Sequence, residues 1–216
     1  MAIRYAVGDG NFSALATWNG GASIPTWGDY VYANSYTVVL DADVNIGSGT
    51  LSTEICPTTG AGGGVFTFNT NRIVIGNIKA GSTHCLKSTA GSNILSTLNV
   101  IGNVDGSSST ACGICQTISS GKNNRVEITG NISKYAVIFA RQSNSSRAYF
   151  NLVGNATSSG GYCLITNISS ASISVVEMSL NGIITGNGYE FADPANSTYA
   201  GFGQLGTYVL NGGVVA

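Results

Sequence analysis

Val74-Ile75-Gly76-Asn77-Ile78 returns down the chain as Val100-Ile101-Gly102-Asn103-Val104, Ile128-Thr129-Gly130-Asn131-Ile132, Leu152-Val153-Gly154-Asn155-Ala156, Leu180-Asn181-Gly182-Ile183-Ile184 and Leu210-Asn211-Gly212-Gly213-Val214. Successive glycines stand 26, 28, 24, 28 and 30 residues apart. A near-constant period of this length marks a stacked repeat architecture, in which each repeat is one supersecondary unit. Two residues before the glycines stand Val74, Val100, Ile128, Leu152, Leu180 and Leu210, and four before stand Arg72, Leu98, Val126, Phe150, Met178 and Tyr208. Two residues after them stand Ile78, Val104, Ile132, Ala156, Ile184 and Val214. The residue three before is mostly polar (Asn99, Glu127, Asn151, Ser179). Alternation of period two around a fixed glycine describes a strand whose even positions face a core and which bends at the glycine.

A second strand follows in each repeat, as His84-Cys85-Leu86, Cys112-Gly113-Ile114, Tyr135-Ala136-Val137, Tyr162-Cys163-Leu164 and Tyr189-Glu190-Phe191. Polar turns of varying sequence join these strands, leaving no room for a helix. The expected fold is therefore all-β: a right-handed parallel β-helix, favoured over an antiparallel sandwich, which need not repeat its own residues in register. Residues 72–216 form repeats of about 24–30 residues in this reading, and residues 1–71 form an irregular N-terminal cap with the first coils. Gly76, Gly102, Gly130, Gly154 and Gly182 are the expected structural bends, where a Cβ would obstruct the backbone or the approach of the next coil. Asn77, Asn103, Asn131 and Asn155 follow four of them in register. With coils about 4.8 Å apart their amides form a hydrogen-bonded ladder, favoured over four independent Gly-Asn turns.

Composition narrows the function classes. Charged residues are 9% of the 216-residue chain, the formal net charge is −1, and nine Lys and Arg are scattered singly. No basic stripe is present to neutralise a phosphate backbone, so nucleic acid is not an expected partner. No apolar run approaches the ~18 residues of a membrane span, and the amino terminus lacks a signal-peptide core. Five Cys leave at least one thiol outside any intrachain disulfide.

Both Trp residues fall in the amino-terminal segment, which suits a cap on an otherwise open coil. That segment, with Trp18-Asn19-Gly20-Gly21, Pro25, Gly28-Asp29-Tyr30-Val31 and Val38-Val39-Leu40-Asp41, resembles the opening of β-helical surface proteins of tailed bacteriophages and bacterial extracellular proteins. The Gly-Asn-Ile repeats, with their Tyr-Cys-Leu and Tyr-Ala-Val partners, are similar to the coils of the same phage proteins. The resemblance implies a virion protein of the tail fibre, tail spike or capsid decoration type, made in the host cytoplasm and displayed on the particle. Turns bearing Tyr, Asn, Ser and Thr suit many weak polar contacts, so other virion proteins, further copies of the chain and glycans are the expected partners. The chain is shorter than a tail spike and has no obvious attachment or trimerising domain.

Chemistry-bearing constellations are sparse. Glycan-cleaving β-helices need paired carboxylates, yet Asp105, Glu127 and Glu177 occupy different repeat positions, and Asp41 and Asp43 fit a junction. His84-Cys85 and Cys112-x-x-Cys115 fall on neighbouring coils, a set that could hold zinc. Residues three apart on a strand face opposite ways, however, so Cys112 and Cys115 cannot share an ion unless a turn intervenes, and Cys packs well as a small hydrophobe. Neither metal nor cofactor is expected. A threonine array for ice is absent from the outward column Ile75, Ile101, Thr129, Val153 and Asn181. The expectation is a non-enzymatic structural and binding protein of a virion surface, with a polysaccharide depolymerase or lyase as the alternative. The last repeat starts a coil that the sequence does not complete, so Leu210, Gly212 and Val214 mark the expected interface.

Overall fold

The computed structural model describes residues 2–19, 23–47, 54–56, 63–88, 96–108, 110–118, 123–141, 147–158, 163–167, 175–186, 191–192, 208–210 and 214–215. Gly20, Gly21, Leu51, Tyr162, Tyr189, Glu190, Asp193, Asn211 and Gly212 lie outside the described residues. The fold is an all-β solenoid of parallel strands. Among the described residues the one helical piece is a 3-10 turn at Leu15–Thr17.

From Tyr30 onward each coil visits three faces in a fixed order. The first face carries Ile3–Tyr5, Tyr30–Tyr32, Glu54–Cys56, Asn77–Lys79 and Val104–Asp105, then Ala156–Ser158, Ile183–Gly186 and Val214–Val215. Single parallel bridges from Ile132 to Val104 and to Ala156 join its two parts. Among the described residues the second face carries eight strands, from Gly10–Asn11 and Thr37–Val39 through Leu86–Ser88 and Ile114–Ile118 to Phe191–Ala192. The third carries seven among the described residues, from Val44–Asn45 through Arg72–Ile75, Ser96–Ile101, Asn123–Thr129 and Arg147–Val153 to Val175–Asn181 and Tyr208–Leu210.

The sequence columns become columns of the stack. Val44, Val74, Val100, Ile128, Leu152, Leu180 and Leu210 pair one above another. The column from Arg72 through Leu98, Val126, Phe150 and Met178 to Tyr208 does the same. On the second face the apolar residue that ends each three-residue motif, Leu86, Ile114, Val137, Leu164 and Phe191, is in one register. On the first face Val31, Ile55, Ile78, Val104, Ile132 and Ala156 form the inward column, and all six are buried. Each buried aliphatic of this core contributes about 1.5–3 kcal/mol by leaving water. Val44, Ile46, Phe66 and Phe68 join the same core from the segment before residue 72.

The register shifts at the last repeat. Val214 pairs with Ile183 and Val215 with Ile184, so Val215, not Val214, continues the column two residues past the glycine. The cause is one additional residue between Leu210 and Val215 compared with Leu180 and Ile184.

The amino-terminal segment already takes part in the stack. Ile3–Tyr5 pairs with Tyr30–Tyr32, and Gly10–Asn11 with Thr37–Val39, both in parallel. Trp18 is buried edge-on against Phe12, ring centroids 5.2 Å apart, and its indole N–H donates to the Phe12 carbonyl at 2.8 Å. Trp27 by contrast is 57% exposed.

The repeat glycine is a corner between two faces rather than a bend within one strand. Ile75 ends a third-face strand and Asn77 begins a first-face strand. Gly102 has φ +153°, and a Cβ there would press into the backbone of Gly76, 2.6 Å from its carbonyl carbon. Gly76, Gly130 and Gly154 share the positive φ, and each glycine from Gly102 to Gly182 would meet the carbonyl of the one before it. The corners therefore stack backbone on backbone, a spacing only glycine permits.

Candidate functional site

The asparagines beside those corners make a ladder of a particular kind. The Asn77 side-chain oxygen accepts the Asn103 backbone N–H, Asn103 accepts from Asn131, and Asn131 accepts from Asn155, each at 3.0 Å. Side chain bonds to backbone, not amide to amide, because the rung must satisfy an N–H freed where the chain turns between sheets. Asn131→Ala leaves the Asn155 N–H without that acceptor and lowers unfolding free energy by about 1 kcal/mol. Outward-facing Thr129→Ala stays within ~0.5 kcal/mol, and urea titration of the two variants checks the pair.

The same device takes up the carboxylates of Asp9, Asp41 and Asp43. Asp9 accepts the Thr37 N–H at 2.7 Å and Asp43 the Ile73 N–H at 2.8 Å, while Asn71 serves Thr97 at 2.9 Å. Asp41 accepts the Ser13 N–H at 3.0 Å and also the Ser13 hydroxyl. Each pair is 26 to 30 residues apart in sequence, which is one coil. Asp29 is buried and receives the Ala2 N–H at 2.9 Å, the Thr26 N–H at 3.1 Å and the Arg4 Nε at 3.3 Å. Burial pushes the Asp29 carboxyl up, but those bonds and the Arg4 charge outweigh it and hold it below the usual value. Glu127 meets Arg125 on its own strand at 3.1 Å. These are corner staples and a surface pair, and none of the contacts brings two carboxylates together.

The expected thiol and imidazole set is divided. Cys85 lies in the main core and its thiol donates to the Ile55 carbonyl at 3.0 Å. Cys112 and Cys115 pack instead with Ile138 and Tyr135 in a separate small cluster. The turn that would let these two share a side is present, because Cys112 precedes the strand Ile114–Ile118 and the chain bends at Gly113. Burial, then the neighbouring Cys115, pushes the Cys112 thiol up to about 12. It stays protonated at neutral pH, which disfavours thiolate chemistry. Among the described residues no three His, Cys, Asp or Glu side chains gather as a metal set.

His84 and Cys112 do meet, as the repeat alignment implies, though through backbone. The Cys112 N–H donates to His84 Nδ1 at 3.0 Å. Burial first, and then the charge of Lys87, push the His84 pKa below the ordinary imidazole value. The ring is neutral at pH 7, and with Nδ1 accepting, its proton resides on Nε2.

His84 lines a cleft of about 340 Å³ together with Tyr36, Thr37, Thr83, Lys87 and Thr110. Val65 supplies an apolar patch of its wall. The cleft spans four coils at the corner where chain from the first face enters the second. Its rim is strained: the Ala33–Tyr36 turn, closed by Tyr36 N–H to Ala33 carbonyl at 3.0 Å, holds Asn34 at φ 52° and Ser35 at φ 73°. Asn tolerates the left-handed region, whereas Ser35 there costs on the order of 1 kcal/mol, and such strain gathers at functional sites.

Inside the stack a polar group interrupts the apolar columns. Gln116 Nε2 donates to the Ser96 hydroxyl at 3.0 Å, and that hydroxyl donates to Asn124 Oδ1 at 3.1 Å, all three residues buried. Extending the inward parity to six residues before each glycine would have found Ser96 and Asn124.

None of the family models, curated proteins or solved structures compared with the chain matches it.

Proposed function

We propose that the chain is a non-enzymatic structural and binding module of a phage virion surface, either a capsid decoration or part of a tail fibre or spike. The observation that carries the structural half is the unbroken stack of glycine corners and asparagine rungs, which spends backbone, amides and carboxylates on rigidity. The virion placement rests on the resemblance of the amino-terminal segment and of the Gly-Asn-Ile coils. Polar turns on a rigid rod suit many weak contacts with protein or glycan. The strands Tyr208–Leu210 and Val214–Val215 stand at the edges of their sheets, and an unpaired edge is a template for another chain. Leu210 and Val214 on these strands belong to the proposed contact surface toward a partner subunit or a second copy, and Gly212 lies outside the described residues.

Electron microscopy of assembled particles bearing an epitope-tagged chain tests this reading. Label on the outside of head or tail is the expected result, and purified particles without the chain would overturn it. A neutral imidazole beside an ammonium in one cleft is the observation that favours the depolymerase or lyase alternative. Clearing zones from the purified chain on capsular polysaccharide would establish that alternative.

A further inference from the structure

We infer that the cleft formed by Tyr36, Thr37, Thr83, His84, Lys87 and Thr110 binds a carboxylate-bearing sugar, the uronic acid unit of an acidic glycan. The size fits, since about 340 Å³ lies within the range of small-ligand sites and holds one or two sugar rings. The charge fits as well. Lys87 is the one formal charge among the described lining residues, with no carboxylate beside it, and the imidazole is neutral. A single cation with a neutral N–H donor balances a monoanion such as a carboxylate better than a phosphate dianion.

The remaining lining groups match a polyhydroxy ligand. Thr83 Oγ1 donates its proton to the Gly64 carbonyl at 2.7 Å, so it presents only acceptor capacity to the cleft. His84 has Nδ1 taken by Cys112 and offers Nε2–H as a donor. Tyr36 and Thr37 add hydroxyls that both donate and accept, and Val65 offers an apolar patch to the C–H face of a ring. The strained Ala33–Tyr36 turn fixes where Tyr36 enters. A fixed donor, a fixed acceptor, adaptable hydroxyls and one cation recognise an acidic sugar and leave a simple inorganic anion poorly served. The inference deepens the display reading, and rests on it only for where such a glycan would be met.

His84 is the single histidine of the chain, so its imidazole resonances report the cleft without assignment ambiguity. The full chain is titrated with D-glucuronate while the His84 Cε1–H signal is followed, with D-glucose, acetate and phosphate run separately. Saturable displacement by glucuronate is expected, with a dissociation constant on the order of millimolar. Glucose, acetate and phosphate are expected to bind at least about tenfold more weakly, and Lys87→Gln to lose about tenfold in glucuronate affinity. Thr37→Ala, at an exposed hydroxyl, is expected to weaken glucuronate too and gives a second reading independent of charge. No saturable shift with glucuronate, an equal response to glucose or to phosphate, or unchanged affinity in both variants would overturn the assignment. Microscopy of the particle is a separate readout, so a failed titration removes the sugar site without touching the virion placement.

Discussion

Gly130→Ala lowers the unfolding free energy by roughly 3–5 kcal/mol, the sum of a strained backbone angle and an overpacked contact. Gly130 has φ +150°, a conformation that side chains with a Cβ rarely adopt. The added Cβ would also lie 2.6 Å from the Gly102 carbonyl carbon and closer still to its oxygen. Backbone cannot swing aside as a flexible side chain would, because Gly102 is itself held by its N–H to the Thr129 carbonyl at 2.9 Å. Relief requires parting two coils, which breaks neighbouring ladder bonds and the Asn103 to Asn131 rung. Gly8→Ala is the matched control, since no atom lies within 4 Å of a Cβ there, and it changes stability by less than ~0.5 kcal/mol. Equal urea midpoints for the two variants would remove the glycine corner from the account.

Leu152→Asp abolishes the native fold at 25 °C. Leu152 is 0% exposed and sits between Ile128 and Leu180 in the inward column of the third face. Losing its apolar burial costs about 2–5 kcal/mol, and an unpaired carboxylate in that column adds several more. Together these approach the whole stability of an ordinary domain, about 5–15 kcal/mol. Val153, the next residue, is 42% exposed on the outward face, and Val153→Asp stays within ~1 kcal/mol. Far-ultraviolet circular dichroism separates the two variants. A native-like spectrum for Leu152→Asp, or loss of structure in Val153→Asp alone, would reverse the assigned parity.

The columns at Val74, Val100, Ile128 and Leu152 were legible in the sequence because inward parity and the period act on the same residues, and a one-residue slip would expose them all. The corner was less legible. Both strands flanking Gly102 keep the same inward parity through the bend, so nothing in the residue pattern separates one bent strand from two strands in different sheets. Backbone φ decides that, and only the run of glycines hints at it. The last repeat misled for a simpler reason, since one added residue moved Val215 into the place assigned to Val214.

The carboxylates carried a signal that spacing alone contains: Asp9 to Thr37 and Asp43 to Ile73 are each one coil apart. Residue type gave no reason to connect them, because the acceptor's partner is a backbone N–H. Whether Cys112 and Cys115 share a side hinged on an intervening turn, and the bend at Gly113 that supplies it lies just before the strand, where residue pattern marks no boundary. The cleft was invisible for a third reason. Tyr36, His84 and Thr110 meet through the path of turns between faces, and turn paths vary from coil to coil while the columns do not.

Long-range HNCO spectroscopy, which observes scalar coupling across individual backbone hydrogen bonds, tests the stacked repeat most directly. The amide of Gly76 is expected to correlate with the carbonyl carbon of Ile101, that of Gly102 with Thr129, and that of Gly130 with Val153, matching N···O distances of 3.0, 2.9 and 2.9 Å. Each correlation links a glycine to the residue just before the next glycine in sequence, one full coil on. Correlations from these amides to carbonyls of an antiparallel neighbour would contradict the solenoid and everything built on it.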